Sequence, residues 1–390
     1  MNEQSKKINC IVLTIYVHPD YYPPTLNAIA ELSKSADRVI VVTQKLHSSD
    51  WVFPKNVEIQ YAFKSKDDLG FGSFFPLVRY YKYWQLLRNV WKKNSPDILI
   101  AHDPMAIASI WLLNKFHKIR VPLWYHNHDV LSFKRGLANK LKYVILRGIE
   151  KEAFTGISLF TLPSNERQKY FPLKSYLGKY YYLPNFPLKS HYRNYYKQKN
   201  KPENEIGLIY QGTISKGHGL ENVIKILNHE IDGKNIKLTI IGQGSQDYKS
   251  QLLRIAKENQ VLDKLQIMDR VQYTELPGIT QSHNIGLAIH ESSGSIYSTG
   301  GTASNKIYEY AALGLPVILH ENEHYRKHLN GFGWAFFVQL SDVSILNCIA
   351  DIVNNYERVS KQAYADFANS LNYETHFPKV LEEVLQLIKR

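Results

Sequence analysis

The feature that most constrains the fold is an alternation of short apolar, β-branched runs with amphipathic stretches, which occurs twice along the 390 residues. Such runs are typical of buried parallel strands joined by crossover helices. In the first half, strands are predicted at 8–16, 38–43, 97–101, 121–126 and 158–163, and helices at 24–35, 104–116 and 133–154. This half therefore predicts one doubly wound α/β domain.

A second alternation begins after residues 183–204, a polar stretch rich in Pro, Asn, Lys and Tyr that is typical of a domain boundary. Strands are then predicted at 206–210, 237–241, 265–268, 285–288 and 316–319, and helices at 220–227, 245–259 and 305–313. The whole pattern predicts two Rossmann-like, doubly wound α/β domains that face each other across a cleft. Ligands are expected at the carboxyl ends of the strands.

The composition limits the cellular setting. The hydrophobic fraction of 44% is that of an ordered globular chain, and two cysteines, Cys10 and Cys348, make no disulfide framework or zinc-finger pattern. No run approaches 18 apolar residues, and the apolar stretch near the amino terminus is too short for a signal peptide. We therefore expect a cytoplasmic protein.

The positive charge is confined to the first half, where residues 1–200 hold 30 Lys and Arg against 14 Asp and Glu; the remainder holds 18 against 21. This asymmetry favours an anionic partner. No helix-turn-helix, zinc-finger or RNA-binding signature is present, so nucleic acid is not the expected partner. Residues 73–93 and 131–151 mix aromatic or aliphatic residues with Lys and Arg, which suits helices lying on the inner face of a membrane. The alternative is that their apolar residues face the protein core.

Glycine-rich turns follow two strands of the second half. The first, YQGTISKGHGL at 210–220, places Gly212 and Lys216 between a strand and a helix, where backbone N–H groups and a cation suit a diphosphate. The second contains Gly242. Both can equally be ordinary tight turns, and the Walker A pattern is absent. A third segment, 298–318, runs from Gly300 and Gly301 into a helix that carries Glu309, an acid able to accept hydrogen bonds from a ribose diol.

Four ordered segments of the second half, YQGTISKGHGLENVIKIL, LTIIGQG, DRVQYTELPGITQSHNIGLAI and SNKIYEYAALGLPVIL, resemble the carboxyl-terminal domain of retaining glycosyltransferases of group 1, which have the GT-B fold. SPDILIAHDPMAIASIWLL, VPLWYHNHDV and LPNFP resemble segments of the family's first domain and linker. The resemblance implies an acceptor-binding domain at 1–187, a linker at 188–204 and a nucleotide-sugar domain at 205–365. A terminal helix at 366–390 would pack back on the first domain.

The resemblance also assigns roles to individual residues. Lys216 would contact the donor diphosphate, with His218 as a competing candidate, and Glu309 would contact the nucleotide ribose. His128 would contact the sugar, with His126 as the alternative. The catalytic set implied is His128, Asp129 and Lys216, and the acceptor side includes Asp103 and His126. The other implied donor-binding positions are Gly212, Thr213, Gly242, Arg270, Gly300, Gly301, Ser304 and Asn305.

Together these features predict an enzyme that transfers a sugar from a UDP or GDP type of nucleotide sugar, with retention, to a glycan or polyprenyl-diphosphate-linked acceptor in cell-surface polysaccharide synthesis. No cofactor is expected, and no D-x-D flanked by strands is present to hold a metal. The leaving diphosphate would instead be stabilised by positive side chains and helix N-termini.

Two departures from the family pattern keep other functions open. Gly301 stands where the family often has the first of two glutamates, and Thr213 stands where a basic residue usually follows the first glycine. A non-catalytic or partner-dependent subunit of a polysaccharide-assembly complex is therefore the alternative. An epimerase or phosphorylase of the same fold is a further one.

Overall fold

The computed structural model describes residues 8–45, 49–63, 75–128, 130–131, 137–291 and 301–389. The chain forms two compact units, one of residues 1–184 together with 376–390 and the other of residues 185–375. Each unit is an α/β domain with a mostly parallel sheet and its own apolar core. The predicted fold class is thus confirmed for both halves.

The sheet of the first unit has the strand order β3-β2-β1-β4-β5-β6-β7, and all neighbouring strands are parallel. Its strands are β1 (Ile8–Thr14), β2 (Ala36–Thr43), β3 (Val57–Tyr61), β4 (Ile98–Ala101), β5 (Leu123–His126), β6 (Leu159–Leu162) and β7 (Lys179–Tyr182). The helices between them are α1 (Pro23–Ser35), α2 (Phe75–Asn94), α3 (Pro104–His117) and α4 (Leu137–Ala153). The central strands are almost wholly buried, as their β-branched sequences require.

The second unit has the parallel strand order β11-β10-β8-β12-β13-β14, with β9 antiparallel to β10. Its strands are β8 (Glu205–Gln211), β9 (Glu230–Ile231), β10 (Lys234–Ile241), β11 (Leu265–Met268), β12 (Ile285–Ala288), β13 (Val317–His320) and β14 (Ala335–Val338). Its helices are α5 (Lys189–Tyr192), α6 (Leu220–Lys225), α7 (Gln246–Glu258), α8 (Leu276–Gln281), α9 (Asn305–Ala312), α10 (Glu323–Leu329), α11 (Asp342–Asn354) and α12 (Tyr356–Asn369), and α13 (Tyr373–Lys389) follows.

The observed boundaries differ from the predicted ones at both ends of the second unit. The stretch 188–204, predicted as a linker, contains the short helix α5 and buries Leu188 and Tyr192, so it packs as part of a domain. The terminal helix begins at Tyr373 instead of 366, because α12 continues to Asn369 and Asn372 then accepts a hydrogen bond from the Thr375 N–H at 3.0 Å.

The last helix contributes to the first unit. Residues 376–390 belong to that unit, where Glu383 on α13 pairs with Lys179 of β7 at 2.6 Å and accepts a hydrogen bond from the Tyr181 hydroxyl at 3.0 Å. None of the helices in the described ranges has the length and apolar character needed to cross a membrane.

Candidate functional site

Two bare glycine turns meet at the carboxyl edge of the second unit's sheet. Gly212 follows β8 with φ of 136° and Gly242 follows β10 with φ of 155°, conformations that side chains rarely adopt. A Cβ on Gly242 would lie 1.7 Å from the Gly212 carbonyl oxygen, so the two turns approach as closely as backbone permits. Hydrogen bonds from Gly212 N–H to Ile241 O (2.9 Å) and from Ile214 N–H to Gln243 O (2.8 Å) fix them together. At these two glycines the turns present backbone that carries no side chain of its own.

Glu309 lies beneath this edge on α9 and is 4% exposed. Its Oε2 accepts a hydrogen bond from Gln211 Nε2 at 2.6 Å and its Oε1 accepts one from the Tyr273 hydroxyl at 3.2 Å. Thr280 Oγ1 donates to Gln211 Oε1 at 2.9 Å, which orients the Gln211 amide. Burial raises the pKa of the Glu309 carboxyl to about 7, against these hydrogen bonds, which lower it.

The basic candidates of the first turn are placed very differently. Lys216 and Thr213 are exposed on the turn. His218 is buried, with its ring 5.5 Å from Tyr210 and 4.8 Å from His290. Burial lowers the pKa of His218 to about 4, so this side chain is neutral at physiological pH and supplies no positive charge to the turn.

Three of the remaining donor-binding candidates, Gly301, Ser304 and Asn305, lie at the start of α9 or just before it. Gly301 is buried, and a Cβ there would lie 2.6 Å from His328 Cδ2. Ser304 occupies the cap position of α9 without a side-chain cap bond, and the buried Asn305 Oδ1 has no hydrogen-bond partner among the described residues. Arg270 is partly buried beyond β11. Gly300 lies outside the described residues.

Three side chains at this edge were missed by the sequence predictions. Gln211 and Tyr273 hold Glu309, as given above. Lys306, one turn before Glu309, places its Nζ 4.1 Å from the centre of the Tyr210 ring. The i and i+3 spacing of Lys306 and Glu309 on one helix was the available signal, because such residues share a face.

In the first unit, three buried histidines form one hydrogen-bonded chain at the carboxyl ends of β4 and β5. His126 Nε2 lies 3.0 Å from His128 Nδ1, and His128 Nε2 lies 2.8 Å from Thr25 Oγ1. Thr25 Oγ1 lies 3.1 Å from His102 Nδ1. The two sequence alternatives, His126 and His128, are thus neighbours in one chain, and His102 is a third member that the sequence predictions did not include.

The three histidine rings are neutral, and the His126 end of the chain is held by a hydrogen bond to Thr161. Burial lowers the pKa of all three rings, that of His126 to about 3. Thr161 Oγ1 lies 2.6 Å from His126 Nδ1 and accepts a hydrogen bond from Trp124 Nε1 at 2.8 Å. These rings can therefore pass or share protons only as neutral tautomers.

Asp103 has a structural role in the first unit. Its Oδ1 accepts a hydrogen bond from Ala106 N–H at 2.7 Å, which caps α3, and its Oδ2 accepts one from Tyr16 N–H at 2.6 Å. Burial raises the pKa of its carboxyl to about 6. Asp129, the other acidic candidate of this unit, lies outside the described residues.

A cavity of 350 Å³ opens at the same edge of the first unit. Its lining includes Tyr16, Tyr22, Lys142, Tyr143 and Leu146. The Tyr22 ring stacks on His128 with ring centres 5.4 Å apart, which places the histidine chain behind this wall of the cavity. No group of three or more potential metal ligands occurs in the part of the chain that the structure describes.

Comparison with known proteins agrees with this architecture. Residues 192–365 match the sequence model of the glycosyl transferases group 1. Among curated protein sequences, none matches the chain. Many solved structures do match it.

One is sucrose-phosphate synthase from Thermosynechococcus elongatus, with a TM-score of 0.69 and 14% identity over 98% of this chain and 99% of that one. HepE of Anabaena in complex with UDP and glucose matches with a TM-score of 0.65 and 15% identity over 97% of this chain and 100% of that one. WaaG, a glycosyltransferase involved in lipopolysaccharide biosynthesis, matches with a TM-score of 0.60 and 13% identity over 96% of this chain and 99% of that one. The chain has the GT-B fold, and its residues 192–365 match the group 1 glycosyltransferases.

Proposed function

We propose that this glycosyltransferase transfers a sugar from a UDP or GDP type of nucleotide sugar, with retention of configuration, to a glycan or lipid-linked glycan acceptor in cell-surface polysaccharide synthesis. The observation that carries the proposal is the buried Glu309 carboxylate beside the bare glycine turns of the second unit. A carboxylate held by Gln211 and Tyr273 can accept hydrogen bonds from a ribose diol, and glycine backbone allows a diphosphate to approach.

The UDP and glucose bound to HepE favour UDP-sugars as the first donors to test. We propose that no metal is required, since the leaving diphosphate can be stabilised by side-chain cations and backbone N–H groups. Transfer should then proceed equally in EDTA and in Mn²⁺ or Mg²⁺. A rate that depends on added divalent ion would contradict this part of the proposal.

The acceptor would bind to the first unit. The 350 Å³ cavity offers tyrosine rings, which stack on sugars or pack on an isoprenoid chain, and the cation Lys142. A polyprenyl-diphosphate-linked glycan has both an apolar chain and a diphosphate, and this cavity has a partner for each.

The outer surface of helices α2 and α4 supports attachment to an anionic membrane. Leu141, Val144 and Ile145 on α4 are each more than half exposed, and Leu77 and Tyr81 on α2 are exposed as well. The core-facing alternative is correct for Tyr83, Leu87 and Val90 of α2, which are buried in the core, but it does not account for these exposed residues. Basic residues such as Lys140 and Lys142 are exposed among them, a combination that suits the headgroup boundary.

Sedimentation with vesicles tests the membrane proposal. At low salt the protein should pellet with vesicles containing phosphatidylglycerol and stay in the supernatant with pure phosphatidylcholine. Replacing Val144 and Ile145 by Ser should weaken sedimentation, whereas the matched change Val343→Ser, at an equally exposed valine of the second unit, should not. Equal sedimentation of both variants would exclude this surface.

Thermal unfolding with UDP, GDP, ADP or buffer tests the donor site, because a ligand that binds the folded state raises the midpoint by mass action. One nucleotide should raise the midpoint and the others should not. The matching nucleotide sugars are then incubated with the protein without acceptor. Slow release of nucleoside diphosphate identifies an enzyme, and its absence from every donor that binds favours the non-catalytic subunit.

A further inference from the structure

The second unit contains a lysine that none of the expected donor contacts includes. Lys306 is the second residue of α9 and directly follows Asn305. The turn after β8 lacks the basic residue expected beside Gly212, because Thr213 occupies that position. The nearest basic residue along the turn, Lys216, is exposed to solvent. The chain therefore needs another source of positive charge if this turn holds a diphosphate.

The Lys306 side chain extends from α9 and brings its amine next to Gly212 in the turn. A Cβ built on Gly212 would lie 3.0 Å from Lys306 Nζ and 3.3 Å from its Cε. The same Nζ lies over the Tyr210 ring, 4.1 Å from its centre, in a cation–π contact. The absence of a side chain at Gly212 is what leaves room for the amine, so the lysine and the glycine turn fit each other.

Within the described residues the charge of Lys306 is balanced only in part, by the nearby Glu309 carboxylate, which raises the pKa of the amine. No carboxylate among the described residues forms an ion pair with it, whereas the well-buried Lys249 at the same edge pairs with Asp269. Glu309, one turn further along α9, directs its two oxygens to Gln211 and Tyr273. Desolvation lowers the pKa of Lys306 to about 7. A partly buried amine that makes no direct ion pair is poised to bind an anion that enters the turn.

We propose that Lys306 binds the diphosphate of the donor and is the principal side-chain cation that stabilises the leaving nucleoside diphosphate. This inference rests on the donor proposed above. It assigns the main positive charge of the diphosphate site to Lys306 on α9 instead of Lys216. With Glu309 on the same helix at i+3, one helix would then hold both the diphosphate and the ribose, which fixes the distance between the two contacts.

Binding of UDP and of uridine to Lys306→Met, to the competing candidate Lys216→Met and to the control Lys225→Met, at an exposed lysine of α6, tests the assignment. Lys306→Met should weaken UDP binding by about 10- to 150-fold, the range for losing a hydrogen bond between charged groups, and leave uridine binding unchanged. Lys216→Met should weaken UDP binding by no more than about fivefold, as for an exposed ion pair, and Lys225→Met should leave it unchanged. Unchanged uridine binding shows that the variant is folded.

The outcomes separate the two proposals. If the wild-type protein binds no nucleoside diphosphate, the proposed function fails. If it binds UDP and Lys306→Met binds it equally well, the assignment of Lys306 is wrong and the function stands. A measurement on the wild-type protein removes dependence on the variant's folding: UDP should protect Lys306 from acetylation by acetic anhydride at pH 7.5, as read by mass spectrometry. Protection of Lys216 instead of Lys306 would overturn the inference.

Discussion

Donor binding should be coupled to proton uptake, because Lys306 and Glu309 both have a pKa of about 7 in the unliganded protein. At pH 8 an amine with this pKa is ~90% unprotonated, and a bound diphosphate that raises its pKa takes up ~0.9 proton. A ribose diol donating to Glu309 favours the carboxylate, which at pH 8 releases only ~0.1 proton. The net uptake is therefore ~0.8 proton at pH 8 and close to zero at pH 7.

The neighbouring titratable groups leave this balance unchanged. Burial lowers the pKa of His218 to about 4 and that of His290 to about 2, so both rings are neutral throughout the range. The terminal phosphate of the nucleotide is fully ionised above pH 7, since its second pKa is about 6. By linkage, UDP affinity should fall about sixfold from pH 8 to pH 9 if the uptake persists.

Calorimetric titration of UDP at pH 8 in HEPES and in Tris measures the coupling, because the observed enthalpy changes with the buffer's ionisation enthalpy in proportion to the protons taken up. The wild type and Lys216→Met should show the same uptake of ~0.8 proton, and Lys306→Met should show none or a slight release. A wild-type enthalpy that is the same in both buffers would refute the reasoning. So would an uptake that survives in Lys306→Met.

Three further changes test the two units separately. Gly242→Ala should lower the free energy of unfolding by at least about 2 kcal/mol in urea titrations, because the added Cβ would overlap a carbonyl oxygen. In the control Gly278→Ala nothing lies within 4 Å of the added Cβ, so this change should be neutral or stabilise the protein by about 1 kcal/mol. In the wild type, nitrogen-15 NMR should show His126 as the Nε2–H tautomer, because the Thr161 hydroxyl can then donate its proton to Nδ1. Thr161→Val should change this spectrum and lower the free energy of unfolding by about 2 kcal/mol. An Nδ1–H signal in the wild type would contradict the assignment. Glu383→Gln should destabilise by about 1 to 2 kcal/mol in the same urea assay through weaker pairing with β7, and an unchanged midpoint would show that this contact contributes little.

The sequence predicted the central strands well, because buried parallel strands must be continuously apolar and their β-branched runs have few other interpretations. It did not predict β3 or β7. Their residues, VEIQY and KYYY, are partly exposed at the sheet edges and lack a continuous apolar run. Edge strands of this kind depend on their neighbour more than on their own composition, whereas the edge strand β11, with the more apolar sequence LQIM, was predicted.

The candidate site was predicted in part for a similar reason. The glycine turns and Glu309 have recognisable local sequences. The contribution of Gln211 and Tyr273 arises only when the end of β8 and the segment between β11 and α8 meet α9, and their sequence spacing carries no sign of it. His126 and His128 could not be separated by sequence because the HNH motif at the end of β5 offers two histidines for one position of the family pattern. The structure shows why a choice was unnecessary, since the two rings share one hydrogen bond.

The placement of α13 has a consequence for the order in which the chain can fold during synthesis. The first unit is discontinuous in sequence, since residues 376–390 join it only after the whole of residues 185–375. A ribosome therefore releases every residue of the second unit before the partners of Lys179 and Tyr181 on α13 emerge. The second unit can fold first, while the edge strand β7 of the first unit still lacks its contacts with α13 and is open to binding by a chaperone.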